Sequence, residues 1–511
     1  MSGERPNVLI VMADQLSAPR LRAYGHRVVK TPNLDRLAAA GVVFENAYCN
    51  FPLCSPSRAS FMSGQLASRT RVYDNAAEFS ADVPTFAHYM RAAGWRVALA
   101  GKMHFCGPDQ MHGFEERLTT DIYPADYGWT PDWERPQDRP EWYHNMSSVR
   151  EAGVCVRTNQ IDFDEETAFA AERALHDWAR SRDRRPFCLV ASFTHPHDPF
   201  AITEEYWNLH RDDEIDMPRH AGPPDEGHDP HSARVRRVCA TDSEPVSEAE
   251  VRAARRAYYG EIAYVDRNLG RLTAALEATG FAKDAIVIFT ADHGEMLGER
   301  GLWYKMSFFE GSARVPLIVG APGRFPPRRV AAPVSLVDLA PTLADFAGVD
   351  PVAGAAAPFD GRSLRPWLEG REGPSGVAAE YLAEGAIAPV VMLREGDWKF
   401  VHCPADPDLL FDVAGDPDER TNRAADPACA DVIARFRAEA AKRWDLRRID
   451  AEVRASQRRR RTVDAALKQG RRHAWDHQPF RDASQEYVRS HMPLDDVEAM
   501  ARFPRVTKPA T

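Results

Sequence analysis

The stretch Asn7-Val8-Leu9-Ile10-Val11-Met12-Ala13-Asp14 decides the fold class of this chain. Residues 8–12 form an unbroken apolar run, and Asp14 closes it. The run lacks the polar alternation of a strand that faces water on one side. It reads as a strand buried on both faces, the condition of a parallel sheet covered by helices. Similar runs recur at 96–100, 188–193, 285–290 and 315–320. Helical patterns lie between them. Residues 32–40 open behind Thr31 and stop at Gly41, and residues 84–93 stop at Gly94. A long helix should begin after Ser247, where Glu250 completes a capping box, and end near Gly280. Strands alternating with helices predict an α/β fold with a large, mainly parallel sheet flanked by helices.

The remaining segments read as additions to that sheet. Residues 200–246 are polar, rich in Pro, Asp and His, and predict an irregular insertion. From about Gly376 the pattern changes. Residues 390–394 and 397–402, separated by Glu395-Gly396, predict a hairpin, and a helix should follow over about 427–444. Residues 452–472 are basic, with Arg458 to Arg461 in a row, and read as a solvated helix face. We therefore expect a main domain over 1–375, a smaller α+β subdomain over 376–474 and an extended C-terminal tail over 475–511.

Composition narrows the function classes. Among 511 residues, 65 Lys and Arg stand against 75 Asp and Glu, a formal net charge of −10. That balance argues against a general nucleic-acid binder. Hydrophobic residues at 44% and charged residues at 27% exclude a disordered or collagen-like chain. The eight cysteines are scattered, with no CxxC pair, so neither a disulfide framework nor a zinc ribbon is expected. The first apolar run is too short for a signal-peptide core. No segment approaches the roughly 18–20 apolar residues of a spanning helix. The expected compartment is the cytoplasm, with no membrane partner.

The strongest local signal is Cys54-Ser55-Pro56-Ser57-Arg58, running into Ala59-Ser60-Phe61-Met62-Ser63-Gly64. A thiol sits at a helix start, with Pro56 in the first turn and Arg58 one turn on. The positive helix end favours an anion there. This pattern resembles the signature of the sulfatase family, in which the cysteine is converted to formylglycine. The resemblance covers nearly the whole chain: Pro6-Asn7 leading to Asp14, Gly101-Lys102-Met103-His104, and Asp292-His293-Gly294-Glu295. Lys305 before Phe309-Glu310-Gly311 and Arg314-Val315-Pro316 is also similar. The resemblance implies an alkaline phosphatase-like fold and a formylglycine-generating enzyme as a partner.

Asp14 and Asp292 each follow a predicted strand, where ligands gather in open α/β sheets. With Gln15 and His293 they offer two carboxylates, an amide oxygen and an imidazole for a divalent cation beside residue 54. An imidazole among oxygens shifts preference from calcium toward manganese, and both are expected candidates. Gln15 and His293 differ from ordinary arylsulfatases and resemble the choline sulfatase and phosphonate monoester hydrolase branches. Lys102 and His104 fall on one side of an extended segment. In the family they would contact the sulfate and the modified residue. Arg58, Lys102 and Lys305 would offset charge on the sulfuryl oxygens. In Thr194-His195-Pro196-His197-Asp198-Pro199 the expected catalytic histidine is His197, and His195 is either a neighbour at the substrate or a structural hydrogen-bonder.

Six aromatics fall in residues 123–143: Tyr123, Tyr127, Trp129, Trp133, Trp142 and Tyr143. Most of them are expected in the core. Others suit a cage for a quaternary ammonium. Here the resemblance narrows to the choline sulfatase branch, carried by Ser68 to Glu78, by Gly113 to Arg117, and by Gly298 to Trp303. Trp475 to Pro479, His491-Met492 and Leu494-Asp495 carry it at the C-terminal end. It implies that Asn75 and His144 hold a sulfate ester, and that Trp129 and Glu384 face the trimethylammonium group of choline O-sulfate. Asp495 would come from a neighbouring subunit, in a dimer or tetramer. Two alternatives stay open: a broader aryl sulfate, phosphonate or phosphodiester hydrolase, and a non-catalytic choline- or anion-binding protein.

Overall fold

The computed structural model describes residues 5–223, 227–480 and 492–504. Eight strands form the main sheet. They are β1 (Asn7–Ala13), β2 (Val42–Phe44), β3 (Arg96–Gly101), β4 (Glu116–Arg117), β5 (Phe187–Ser192), β6 (Ala285–Ala291), β7 (Leu317–Gly320) and β8 (Arg328–Val330). Their order is β8-β2-β7-β6-β1-β5-β3-β4. The central strands β6, β1, β5 and β3 run parallel. From Val8 to Ala13, β1 is wholly buried. Each large side chain there gains roughly 1.5–3 kcal/mol by leaving water. This burial fixes the strand ends that carry the functional residues.

Four of the five predicted strands appear as parallel neighbours. The fifth does not. Pro316 cannot donate to a ladder, and the run divides there into Arg314–Val315, in a separate three-stranded sheet, and β7, antiparallel to β6. The helix Pro32–Ala40 has the predicted bounds. Glu248–Thr279 carries the Ser247–Glu250 capping box and closes on Gly280 in the left-handed region. The expected irregular insertion is partly regular, with the strand Ala201–Thr203 and the helix Pro230–Val238.

After the main sheet, Val377–Tyr381, Val390–Glu395, Trp398–Cys403 and Asp406–Asp412 form an antiparallel meander. The helices Ala430–Arg443 and Leu446–Leu467 follow. The second contains the basic run, and it is not simply solvated: Arg460 is buried. Among the described residues, all eight cysteines are free thiols, and no helix is long and apolar enough to cross a membrane.

Candidate active site

The carboxyl ends of the four parallel strands release the functional residues side by side. Asp14 follows β1, Lys102 follows β3, the Thr194–His197 segment follows β5 closely, and Asp292 follows β6. Their registers are flush: Met12 pairs with Ser192 on one side and with Thr290 on the other. Gly101 makes the exit from β3 feasible. It has φ +97°, and a Cβ there would lie 2.0 Å from the Ser192 carbonyl oxygen. Gln15 and His104 also adopt left-handed φ, at 61° and 57°. Such strain costs on the order of 1–3 kcal/mol and is concentrated at functional sites.

Cys54 opens the helix Cys54–Ser63, whose ten residues are all buried. Leu53 provides no side-chain cap, so Asn75 Oδ1 takes the Ser55 N–H at 2.9 Å. Cys54 Sγ lies 3.2 Å from His293 Nε2, 3.7 Å from Lys102 Nζ and 3.9 Å from Asp14 Oδ1. Burial and the Asp14 carboxylate push its thiol up to about 11. His293 Nδ1 lies 3.1 Å from the Gly294 carbonyl, which only accepts. Nδ1 therefore carries the proton and Nε2 presents a lone pair to the cluster.

Arg58 is fully buried and faces the two carboxylates. Nε donates to Asp292 Oδ2 at 2.8 Å, and Nη2 to Asp14 Oδ2 at 3.0 Å. Nη1 binds Ser192 Oγ at 2.9 Å and the Lys102 carbonyl. With its nitrogens so engaged, Arg58 aligns Asp14 and Asp292 instead of meeting sulfuryl oxygens as expected. Lys102 pairs with Asp14 and lies 4.4 Å from the Tyr123 ring centroid. Burial works against its charge, but the Asp14 carboxylate outweighs burial and holds the ammonium above its ordinary value. Burial would likewise raise Asp14, yet the Lys102 and Arg58 cations keep it well below the usual carboxylate range.

His197 and Lys305 form the other wall. His197 Nδ1 donates to the Asp198 carbonyl at 2.8 Å, so Nε2 accepts from Lys305 Nζ at 2.9 Å. Lys305 also donates to Gln15 Oε1, while Gln15 Nε2 donates to Glu295 at 2.6 Å. The amide expected at the metal is thus turned toward Lys305 and Glu295. His195 takes the place of the structural hydrogen-bonder, not that of a neighbour at the substrate. It is buried against Asp164, with Nδ1 2.7 Å from Oδ2, and does not line the cavity. His104 lines it, with neither ring nitrogen partnered. Burial and Lys102 lower its pKa to about 3, so the imidazole is neutral.

A cavity of about 290 Å³ joins these groups to the aromatic segment. Cys54, Asn75, Lys102, His104, His144, His197 and Lys305 line it, together with Trp129 and Glu384. His144 stacks on Tyr304 with ring centroids 4.4 Å apart. Four of the six aromatics of residues 123–143 line the cavity, and of these Tyr143 also belongs to the buried core, with Trp142 packed against it. Trp133 is buried in that core away from the cavity, donating to the Ala383 carbonyl at 3.0 Å. Tyr127 packs edge-on against Trp475 and donates to Glu78. Asp495 is exposed on the helix Leu494–Ala501 and does not line the cavity of its own chain. His491 lies outside the described residues.

Sequence reasoning missed Gln160, Asp198 and Asp121. Gln160 and Asp198 line the cavity. Asp121 Oδ2 accepts the backbone N–H groups of Met103 and His104, both at 2.9 Å. Asp198 directly follows His197 in the sequence. Gln160 sits in no motif.

A family model described as Sulfatase matches residues 6–349. The chain belongs to the sulfatase family. Two further models match this sulfatase: N-sulphoglucosamine sulphohydrolase, C-terminal, over 298–444, and choline sulfatase enzyme C terminal, over 451–503. It is 48% identical to the choline-sulfatase of Rhizobium meliloti (strain 1021), over 99% of this chain and all of that one. Arylsulfatase K of Gallus gallus is 30% identical, over 82% of this chain and 79% of that one. The crystal structure of phosphonate monoester hydrolase of Agrobacterium radiobacter matches with a TM-score of 0.68 at 28% identity. That match covers 89% of this chain and 96% of the other.

The sulfatase family depends on a divalent metal and on formylglycine, and the residues here fit both. Ligand atoms of Asp14, Cys54, Asp292 and His293 all lie within 4.8 Å of one another, and all four residues are buried. Sγ of Cys54 marks where the oxygens of a modified residue would stand. Asp14 and Asp292 are balanced by Arg58 and Lys102. A divalent ion would leave the cluster net positive, ready for an anion.

Proposed function

We propose that this chain hydrolyses choline O-sulfate to choline and inorganic sulfate, with a formylglycine formed from Cys54 and a divalent cation, calcium or manganese. One observation carries the reading. The cavity that reaches residue 54 is lined both by cationic and imidazole groups and by Trp129, Trp142, Tyr143 and the buried Glu384. A zwitterion with a sulfate at one end and a quaternary ammonium at the other matches those two kinds of wall. Similarity to a protein named choline-sulfatase over the full chain supports it.

The bound cation and the hydrated formylglycine together supply a nucleophilic hydroxyl for attack on sulfur. Arg58 holds Asp14 and Asp292 in place for the metal. Lys102, beside residue 54, and Lys305 offset negative charge on the sulfuryl oxygens. Choline leaves as an alkoxide, a poor leaving group that needs a proton. His197 spends its own proton on the Asp198 carbonyl and accepts from Lys305. Lys305 is therefore the proton donor, and His197 orients it. His104, neutral and unpartnered, takes the proton released at residue 54 when sulfate departs.

Asn75 and His144 bind the ester, and Trp129 and Glu384 the ammonium. We further infer that a formylglycine-generating enzyme converts Cys54. A neighbouring subunit of a dimer or tetramer brings Asp495. Residues 1–375 act as the catalytic domain, with 376–474 and 475–511 as additions. A second reading, hydrolysis of aryl sulfates or phosphonate esters, draws support from the phosphonate monoester hydrolase likeness. It leaves Glu384 without a role.

Trp129→Ala separates the two. Loss of a desolvated cation–π contact of about 2 kcal/mol predicts a roughly 30-fold or greater fall in kcat/KM for choline O-sulfate. Turnover of 4-nitrophenyl sulfate should change far less. Equal losses on both substrates would remove the cation site from the reading.

Glu384 adds a pH signature. Burial pushes its carboxyl up to about 7. The anion that attracts choline is therefore present above that pH and protonated below it. We expect kcat/KM for choline O-sulfate to rise as pH climbs through about 7, with the rise absent for an aryl sulfate and in Glu384→Gln. An unchanged profile in Glu384→Gln would assign the titration elsewhere.

A further inference from the structure

The basic run on the helix Leu446–Leu467 contains one arginine unlike its neighbours. Arg460 is 6% exposed, and the carboxylate it meets, Asp74, is fully buried. The contact is a two-pronged fork: Nη1 to Oδ1 and Nη2 to Oδ2, both at 2.7 Å. Nη1 also donates to Thr130 Oγ1 at 3.1 Å, and Nε to Ser456 Oγ at 3.2 Å. Asp74 precedes Asn75, whose Oδ1 holds the N–H next to residue 54. Thr130 follows Trp129. One guanidinium thus ties together two segments, far apart in sequence, that supply opposite kinds of wall to the same cavity.

The same helix grips the aromatic segment further along. Gln457 Oε1 accepts from Trp133 N at 3.0 Å. Arg454 donates to the Trp133 carbonyl at 2.9 Å and to the Ile387 carbonyl at 2.7 Å. Trp133 in turn donates to the Ala383 carbonyl, one residue before Glu384. These bonds leave Trp129 and Glu384 little freedom to move apart.

A buried ion pair is poor evidence for stability, because desolvation offsets much of its attraction. Its distinctive property is geometry. A planar fork fixes both distance and orientation, which a lysine cannot do.

We propose that Arg460 is a positioning residue that sets the separation between the ester-binding Asn75 and the cation-binding Trp129. It thereby selects a substrate of choline O-sulfate length. This rests on the function proposed above. Arg460 touches no substrate; it acts through Asp74 and Thr130.

The test uses the full-length, formylglycine-containing, metal-loaded enzyme. Arg460→Lys keeps the charge and loses the fork. The double variant Asp74→Leu/Arg460→Met replaces the pair by apolar side chains, so no buried charge is stranded. Misplacement by about 1 Å can cost on the order of 100-fold. For both variants we expect kcat/KM on choline O-sulfate to fall roughly 100-fold, mainly through KM. On 4-nitrophenyl sulfate it should fall less than about fivefold.

Crystal structures of the variants should show residues 127–133 displaced relative to the helix Cys54–Ser63. If both activities fall in parallel with thermal stability and the double variant restores both, Arg460 serves folding alone and the proposal is overturned. An unmoved segment 127–133 overturns it as well, whatever the substrate. A wild-type enzyme that prefers the aryl sulfate would instead overturn the substrate reading, and the crystallographic comparison would still judge Arg460.

Discussion

Cys54→Ala should abolish sulfate release, lowering kcat at least about 10⁴-fold, while the protein still folds. The expected size follows from removing a nucleophile that no neighbour can replace. Residue 54 stands where the cluster converges, with His293 at 3.2 Å and Lys102 at 3.7 Å. Among the other residues lining the cavity there is no second thiol or aliphatic hydroxyl to take its place. Alanine removes one small side chain from a helix that stays packed on every side. Thermal stability should therefore change by little more than the cost of a small cavity. The check is steady-state turnover beside a melting curve. Residual activity above about a tenth of wild type would place the nucleophile elsewhere. Mass analysis of the wild-type peptide containing residue 54 belongs with this experiment. An unmodified thiol in protein from its native host would favour the non-catalytic binding alternative.

Asp292→Asn should cost both metal and stability. Asparagine preserves the shape, and its oxygen can still accept from Gln15 and His293, whose N–H groups lie 3.0 and 2.9 Å from Oδ1. What disappears is one negative charge facing Arg58 in a site with no exposure to water. Breaking one side of a buried pair typically costs about 3–5 kcal/mol. Arg58 and Lys102 would then face Asp14 alone, and a divalent ion would enter a cluster already positive. Changes to groups merely supporting a ligand weaken metal binding about 10–100-fold, so loss of this ligand charge should exceed roughly 100-fold. Elemental analysis after dialysis should find little metal in Asp292→Asn and near-stoichiometric metal in the wild type. Full retention with normal activity would show that Asp292 is not a ligand.

How far the sequence alone reaches is visible at individual residues. Asp14, Lys102 and Asp292 were legible because each follows a locally recognisable buried strand, and strand ends gather ligands in this fold class. Cys54 was legible through its motif. The helix it opens is buried all round and gives no amphipathic period. The choice between His195 and His197 was not readable, because it depends on Asp164, which comes from the helix Asn159–Arg180. The hydrogen bonds of Arg58 and Gln15 were not readable either, because their partners come from strands and loops between 44 and 290 residues away. Arg460 was hidden for the same reason. In sequence it is one cation in a row of four, and only the approach of Asp74, 386 residues earlier, distinguishes it. Pro316 was the opposite case: its missing N–H was in view, and the division of the last strand follows from it.

The central claim is tested most directly by one comparison of substrates. The metal-loaded, formylglycine-containing enzyme is given choline O-sulfate, 4-nitrophenyl sulfate and a phosphate diester under the same conditions, and kcat/KM is measured for each. The bipolar cavity predicts the highest value for choline O-sulfate. A higher value for either of the others would contradict it.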